Sequence, residues 1–174
     1  MSPLAGPRGN EGLKRGHIIH RLLEVLPALP LKAREKAARK YLSRRVHALS
    51  REVQDSIAAE TLAILADPEF AAVFAPGSMA EVPLAGQIGE TVIAGQVDRL
   101  AVDAKTVTVV DYKTNRPVPK RPGDAPAAYL KQMAAYRALL TRIYPDRAVR
   151  CVLLWTAGPE FMPIPGPLLD AHAP

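Results

Sequence analysis

Asp111 and Lys113 stand two apart in the run V-V-D-Y-K-T, at the end of a strongly β-forming stretch. In a strand, residues two apart point to the same face. The carboxylate and the ammonium therefore project together, and Tyr112 faces the other way. Asp98, in G-Q-V-D-R-L, lies on the strand expected to pair with this one through a hairpin. Two acids and a lysine on one side of a two-strand unit suit phosphodiester hydrolysis. Carboxylates hold a hard cation such as Mg²⁺ through oxygen, and the cation polarises phosphate and lowers the pKa of a bound water. A neighbouring lysine positions that water or meets the charge that builds on phosphate oxygens. The plainer alternative is an ion pair at a strand edge: a lone D-x-K arises by chance in about one of every two chains of this length.

Other residues add to the group by their spacing. Gln132 and Tyr136 lie four apart in Y-L-K-Q-M-A-A-Y-R-A-L-L, on one face of a helix. His20 sits in R-G-H-I-I-H-R-L-L-E, and Glu81 in A-E-V-P-L. Each has a bland reading of its own. A surface glutamine beside a half-buried tyrosine is ordinary, a helical histidine is more often structural than a ligand, and a lone glutamate is usually a solvated charge.

The elements that must position these residues follow from periodicity. Residues 1–10 are rich in proline and glycine and should be irregular. An amphipathic helix is expected from Glu11 to about Leu26, carried by Leu13, Ile18, Ile19, Leu22, Leu23 and Leu26 and ended by Pro27 and Pro30. A second helix is expected over 31–49, crowded with Lys32, Arg34, Lys36, Arg39, Lys40, Arg44 and Arg45, and a third over 51–66, stopped at Asp67-Pro68. A short helical turn fits 69–74. Strands are expected over 80–86, with Pro83 marking an edge, then over 91–102, 106–112 and 148–156. A proline-rich loop fills 114–126, a helix follows over 127–143, and the tail from Gly158 shows no periodicity.

Composition sets the limits. The chain has 174 residues, 48% hydrophobic, enough for one domain with its own core. A net charge of +6 is compatible with a polyanionic partner without requiring one. Cys151 is the only cysteine and sits in an apolar run, which rules out an internal disulfide and a cluster of cysteine ligands and suits a buried small hydrophobe. No apolar stretch has the length of a membrane span, and the N-terminus lacks the apolar centre of a secretory signal, so the expected compartment is the cytoplasm.

Taken in order, R-G-H-I-I-H, A-E-V-P-L, G-Q-V-D-R-L, V-V-D-Y-K-T-N-R-P and Q-M-A-A-Y resemble the RecB-like branch of the PD-(D/E)xK nucleases. The resemblance is greatest to the C-terminal nuclease domain of AddA-type helicase–nucleases, over about residues 11–157, with 1–10 as lead-in or linker and 158–174 as a proline-rich tail. It implies an α/β fold with a restriction-endonuclease-like core: a central mixed sheet flanked by helices, preceded by a helical segment. It places His20, Asp98 and Asp111 at metal-binding positions, with Glu81 as a further acidic member. Lys113 becomes the catalytic lysine, and Gln132 and Tyr136 the accessory helix motif. The implied activity is a Mg²⁺- or Mn²⁺-dependent deoxyribonuclease acting on DNA ends or single strands in double-strand-break repair. Arg116, Lys120 and Arg121 would help hold the DNA backbone. Relatives with an iron–sulfur cluster use four cysteines, which points here to the cluster-free type. The implied partners are a helicase domain and an AddB-like subunit, so the chain is expected to be a fragment, a C-terminal domain or a stand-alone nuclease. The competing reading is a non-catalytic DNA-binding or helicase-docking module on the same fold. A junction resolvase would share the D-x-K core without needing the Q-x-x-x-Y helix.

Overall fold

A computed structural model describes residues 7–174. Of the expected irregular lead-in, residues 1–6 lie outside the described residues, and Pro7 already opens a helix, α1 (Pro7–Val25). Its buried stripe is the expected one, with Ile18, Ile19, Leu22 and Leu23 sealed from solvent; Leu13, at 60% exposed, does not join it. Helix α2 (Leu31–Leu42) is shorter than the basic stretch suggested. The chain leaves it at Ser43, makes one 3-10 turn at Arg45–His47 and passes Ala48 in the left-handed region at φ 45°. Part of the cationic surface of α2 is used internally: Arg34 donates to the carbonyls of Pro27 and Leu29, and Arg39 pairs with Glu35 and Asp55. Helix α3 (Arg51–Ala66) starts at Ser50, whose hydroxyl accepts the Val53 N–H, and stops before Pro68. A 3-10 turn at Pro68–Phe70 follows.

Five strands form one sheet in the order β1 (Met79–Ile88), β2 (Thr91–Val102), β3 (Thr106–Lys113), β4 (Ala148–Trp155), β5 (Glu160–Pro163). All neighbours are antiparallel except β3 and β4, which run parallel in the register Asp111↔Leu153 and Lys113↔Trp155. A parallel pair needs a crossover, and α4 (Ala127–Ile143) provides it. Pro83 lies on β1, an edge strand, where a missing N–H is tolerated. The tail departs from expectation. It adds β5 and a short helix, α5 (Gly166–Asp170), because Met162, Ile164 and Leu169 supply buried apolar groups over a stretch too short to show a period. Its prolines sit at strand and helix ends, where they cost little.

The sheet therefore separates two cores. Helices α1–α3 pack on one face against Val110, Tyr112, Val152 and Leu154. Helices α4 and α5 pack on the other against Val107, Val109, Cys151 and Leu153. This is the expected mixed α/β fold, a five-strand sheet flanked by helices with a helical segment in front. Cys151 is buried as its apolar run suggested, and burial pushes its thiol up to about 12.

Candidate active site

The site lies where β2 stops pairing with β3. The two strands are in register from Val102↔Val107 to Arg99↔Val110, and there the ladder ends. Beyond it, the Tyr112 N–H donates to Asp98 Oδ2 at 2.6 Å, so a carboxylate takes the place of a backbone carbonyl. The alternation of β2 slips at the same point. Val97 and Leu100, three apart, both join the α4-side core, while Arg99 turns to the other face. On the β1 side, Ala80↔Arg99 and Val82↔Val97 pair normally, but Glu81 between them is left-handed at φ 52°. A non-glycine residue held there costs on the order of 1–3 kcal/mol. Such irregularities re-aim side chains at the ends of ladders.

These distortions bring three groups together. His20 Nδ1 is 3.3 Å from Asp98 Oδ1, and His20, Glu81 and Asp98 each offer a ligand atom within 4.8 Å of the others. The His20 ring meets Tyr112 edge-on at 5.3 Å. Helix α1 approaches this closely because Gly16 has no side chain; a Cβ there would come 2.9 Å from Thr114 Oγ1. Arg99, 3% exposed, ties the helix to the sheet. Its guanidinium donates to the Leu23 carbonyl at 2.5 Å and to Ser78 Oγ and Tyr112 Oη at 3.3 Å each, and lies over the Phe74 ring at 5.2 Å. Sequence reasoning passed over Arg99; its signal was an arginine in a β-rich run, between a candidate acid and the apolar Leu100-Ala101-Val102.

Asp111 and Lys113 project together, on the face that Tyr112 leaves. The Lys113 ammonium is 2.5 Å from Asp111 Oδ2 and 3.4 Å from Gln132 Oε1. It approaches Asp111 off the direction of a good hydrogen bond, so that buried oxygen has no aligned donor. Gln132 Nε2 donates to Tyr136 Oη at 3.2 Å, and that hydroxyl donates to the Gln96 carbonyl at 3.1 Å. Gly95 makes room for the phenol: a Cβ there would stand 2.4 Å from Tyr136 Oη. Tyr129, another residue missed at first, places its ring under the Lys113 ammonium at 3.8 Å.

The electrostatics reflect crowded acids. Burial and the charge of Asp98 raise the pKa of Glu81. Burial raises Asp111, against the pull of Lys113. For His20, burial opposes the charged ring, yet the hydrogen bond and charge of Asp98, helped by Asp111 and Glu81, outweigh it and raise the pKa. One imidazole, converging carboxylates and a buried carboxylate oxygen lacking an aligned donor form a donor set that fits a divalent cation.

The other predicted residues stand apart from this cluster. Arg116 is 66% exposed and 3.9 Å from Glu60, and Arg121 pairs with Asp124 on the loop, next to exposed Lys120. A cavity of about 790 Å³ lies elsewhere, lined by Val73, Arg150, Cys151, Phe161 and Ile164, and none of the clustered residues reaches it. Among the described residues no helix is long and apolar enough to cross a membrane.

Residues 4–160 match the family model described as the PD-(D/E)XK nuclease superfamily. No match was found among curated proteins. Similar solved structures include the crystal structure of SSO0001, at 15% identity over 92% of this chain and 78% of that one, with a TM-score of 0.37. Another is the crystal structure of protein VC1899 from Vibrio cholerae, at 14% identity over 90% of this chain and 49% of that one, with a TM-score of 0.33.

Proposed function

The chain belongs to the PD-(D/E)XK nuclease superfamily, and from that premise we propose that it is a divalent-metal-dependent deoxyribonuclease whose centre is built from His20, Glu81, Asp98, Asp111 and Lys113. The single observation that carries this reading is the convergence of His20, Glu81 and Asp98 beside the Asp111–Lys113 pair, at the point where β2 leaves β3. His20, Glu81, Asp98 and Asp111 would hold Mg²⁺ or Mn²⁺. Such a cation, when bound, polarises the scissile phosphate and makes a water acidic enough to attack.

The chain's own groups do the remaining work. Asp98 takes its orientation from the Tyr112 N–H and so presents Oδ1 toward His20. His20 has to be neutral to act as a ligand, and the surrounding acids raise its pKa, so a cation would compete with a proton there. Lys113, held between Asp111 and Gln132, has N–H capacity left for a water or a phosphate oxygen. Tyr136 and Gln132 brace that lysine from α4 by way of the Gln96 carbonyl.

The finer reading is the nuclease domain of an AddA-like helicase–nuclease in double-strand-break repair. DNA ends or single strands would be the substrate, the cytoplasm the compartment, and a helicase domain and an AddB-like subunit the partners. It is supported by the hydrogen-bonded Gln132–Tyr136 pair and by the lack of cysteines for a cluster. Exposed Arg116, Lys120 and Arg121 would meet the DNA backbone. The test is cleavage of linear single- and double-stranded DNA in Mg²⁺ and in EDTA by the chain and by Asp111→Ala and Lys113→Ala, alone and with a helicase partner. Cleavage should require the cation, and each variant should lose on the order of 10²–10³ in rate. Equal degradation by wild type and variants would remove the assignment.

A further inference from the structure

Lys113 is enclosed on three sides, and only two of them belong to the set of residues invoked above. Asp111 lies 2.5 Å from the ammonium and Gln132 Oε1 3.4 Å. The third wall is the ring of Tyr129, its centroid 3.8 Å from Nζ. That ring is held in place. Its hydroxyl donates to Asn115 Oδ1 at 2.9 Å, two residues beyond Lys113 on the segment leaving β3. It lies 6.2 Å from the ring of Trp155, which is 1% exposed and is the β4 register partner of Lys113. Tyr129 and Gln132 lie three apart on α4, so one helix face presents both groups to the same ammonium.

A lysine side chain has four rotatable bonds and a compact charge. Asp111 Oδ2, at 2.5 Å, fixes one side of that charge, but a single contact leaves the ammonium free to swing about it. The negative face of an aromatic ring attracts the same cation without accepting a hydrogen bond. It braces the charge from the side away from Asp111 without taking up a hydrogen-bond acceptor. We propose that Tyr129 is a positioning residue for Lys113, its π-face holding the ammonium in place against Asp111 and Gln132, with Asn115 fixing the ring through the hydroxyl. The proposal rests on the reading of Lys113 as the group that serves the reacting phosphate.

The test is steady-state cleavage of a labelled single-stranded DNA in Mg²⁺, with kcat and KM measured separately. Tyr129→Phe keeps the face and loses only the Asn115 tether, so kcat should stay within about threefold of wild type. Tyr129→Leu removes the face, and kcat should fall roughly tenfold or more with KM little changed. Because leucine could disturb the core near Trp155, a second series replaces Tyr129 with phenylalanines carrying one, two and three ring fluorines, which weaken the π-face at nearly constant shape. There log kcat should decline steadily with fluorine number. A flat fluorine series, or equal losses in the Phe and Leu variants, would overturn the proposal. A Lys113→Ala variant as active as wild type would instead remove the reading on which it rests, so the two failures are distinguishable.

Discussion

The two halves of β3 have opposite fates. From Thr106 to Val110 the strand is flanked by β4 and, from Val107, also by β2, and Val107, Val109 and Val110 are wholly buried. From Asp111 to Lys113 it keeps only β4, and the place that β2 would fill is taken by side chains: Asp98 on the Tyr112 N–H, and Lys113 against Gln132. The apolar half stabilises the fold through burial. The other half holds a buried acid, Asp111, and is attended by the strained Glu81 of β1 and the buried Arg99 of β2, each a cost that the first half must support. The candidate site is a place where a regular ladder is interrupted and its backbone groups are satisfied by groups that can also do chemistry.

The largest effect on stability should come from Arg99, which spans the two regions. Arg99→Leu strands the Leu23 carbonyl and loosens α1 from the sheet. Unfolding free energy should fall by about 2–3 kcal/mol in a urea titration. If stability is unchanged, Arg99 does not couple α1 to the break. Gly95→Ala should act on rate instead. The new Cβ would collide with Tyr136 Oη, releasing Gln132 and Lys113. Cleavage should slow by roughly ten- to a hundredfold with little change in melting temperature. Glu81→Gly should trade one property for the other. Relief of the left-handed strain should raise stability by about 1 kcal/mol, and divalent-cation affinity should drop. A destabilised Glu81→Gly protein would show that the φ of 52° is not a stored cost.

The smallest effect is a pH dependence. Glu81, Asp111 and His20 all have raised pKa values in the folded chain, so through these three groups the native state binds more protons than the unfolded one, with the lowered His47 opposing them in part. In metal-free protein, stability should therefore fall as pH rises, first from the usual carboxylate range upward and then through the raised pKa of His20. Melting temperatures at about pH 5.5 and 8, either side of the ordinary histidine value, should show the metal-free chain less stable at pH 8, and a divalent cation should remove most of the difference. An unchanged slope in metal would argue that these acids do not bind it.

Much of this was legible in the residues. The limits of α3, β2 and α4 follow from caps, β-branched runs and prolines, and Asp111 and Lys113 share a face because strands alternate. The convergence of Gln132 with Tyr136 follows from helical spacing. The slip at Asp98 and the left-handed Glu81 were not legible. Neither residue type signals irregular backbone; both are imposed by packing against α1 and by the Tyr112 N–H seeking a partner. Arg99 and Tyr129 were missed because their partners, Leu23 and Lys113, are 76 and 16 residues away, beyond any local pattern. β5 and α5 escaped because they are four and five residues long.

Cation binding at the break in the sheet is the central claim. Mn²⁺ titration followed by electron paramagnetic resonance, on wild type and Asp98→Asn, tests this without requiring substrate or partner. Wild type should bind Mn²⁺ and lose the site in the variant, with both proteins folded by circular dichroism. Equal Mn²⁺ affinity in the two proteins would contradict the account.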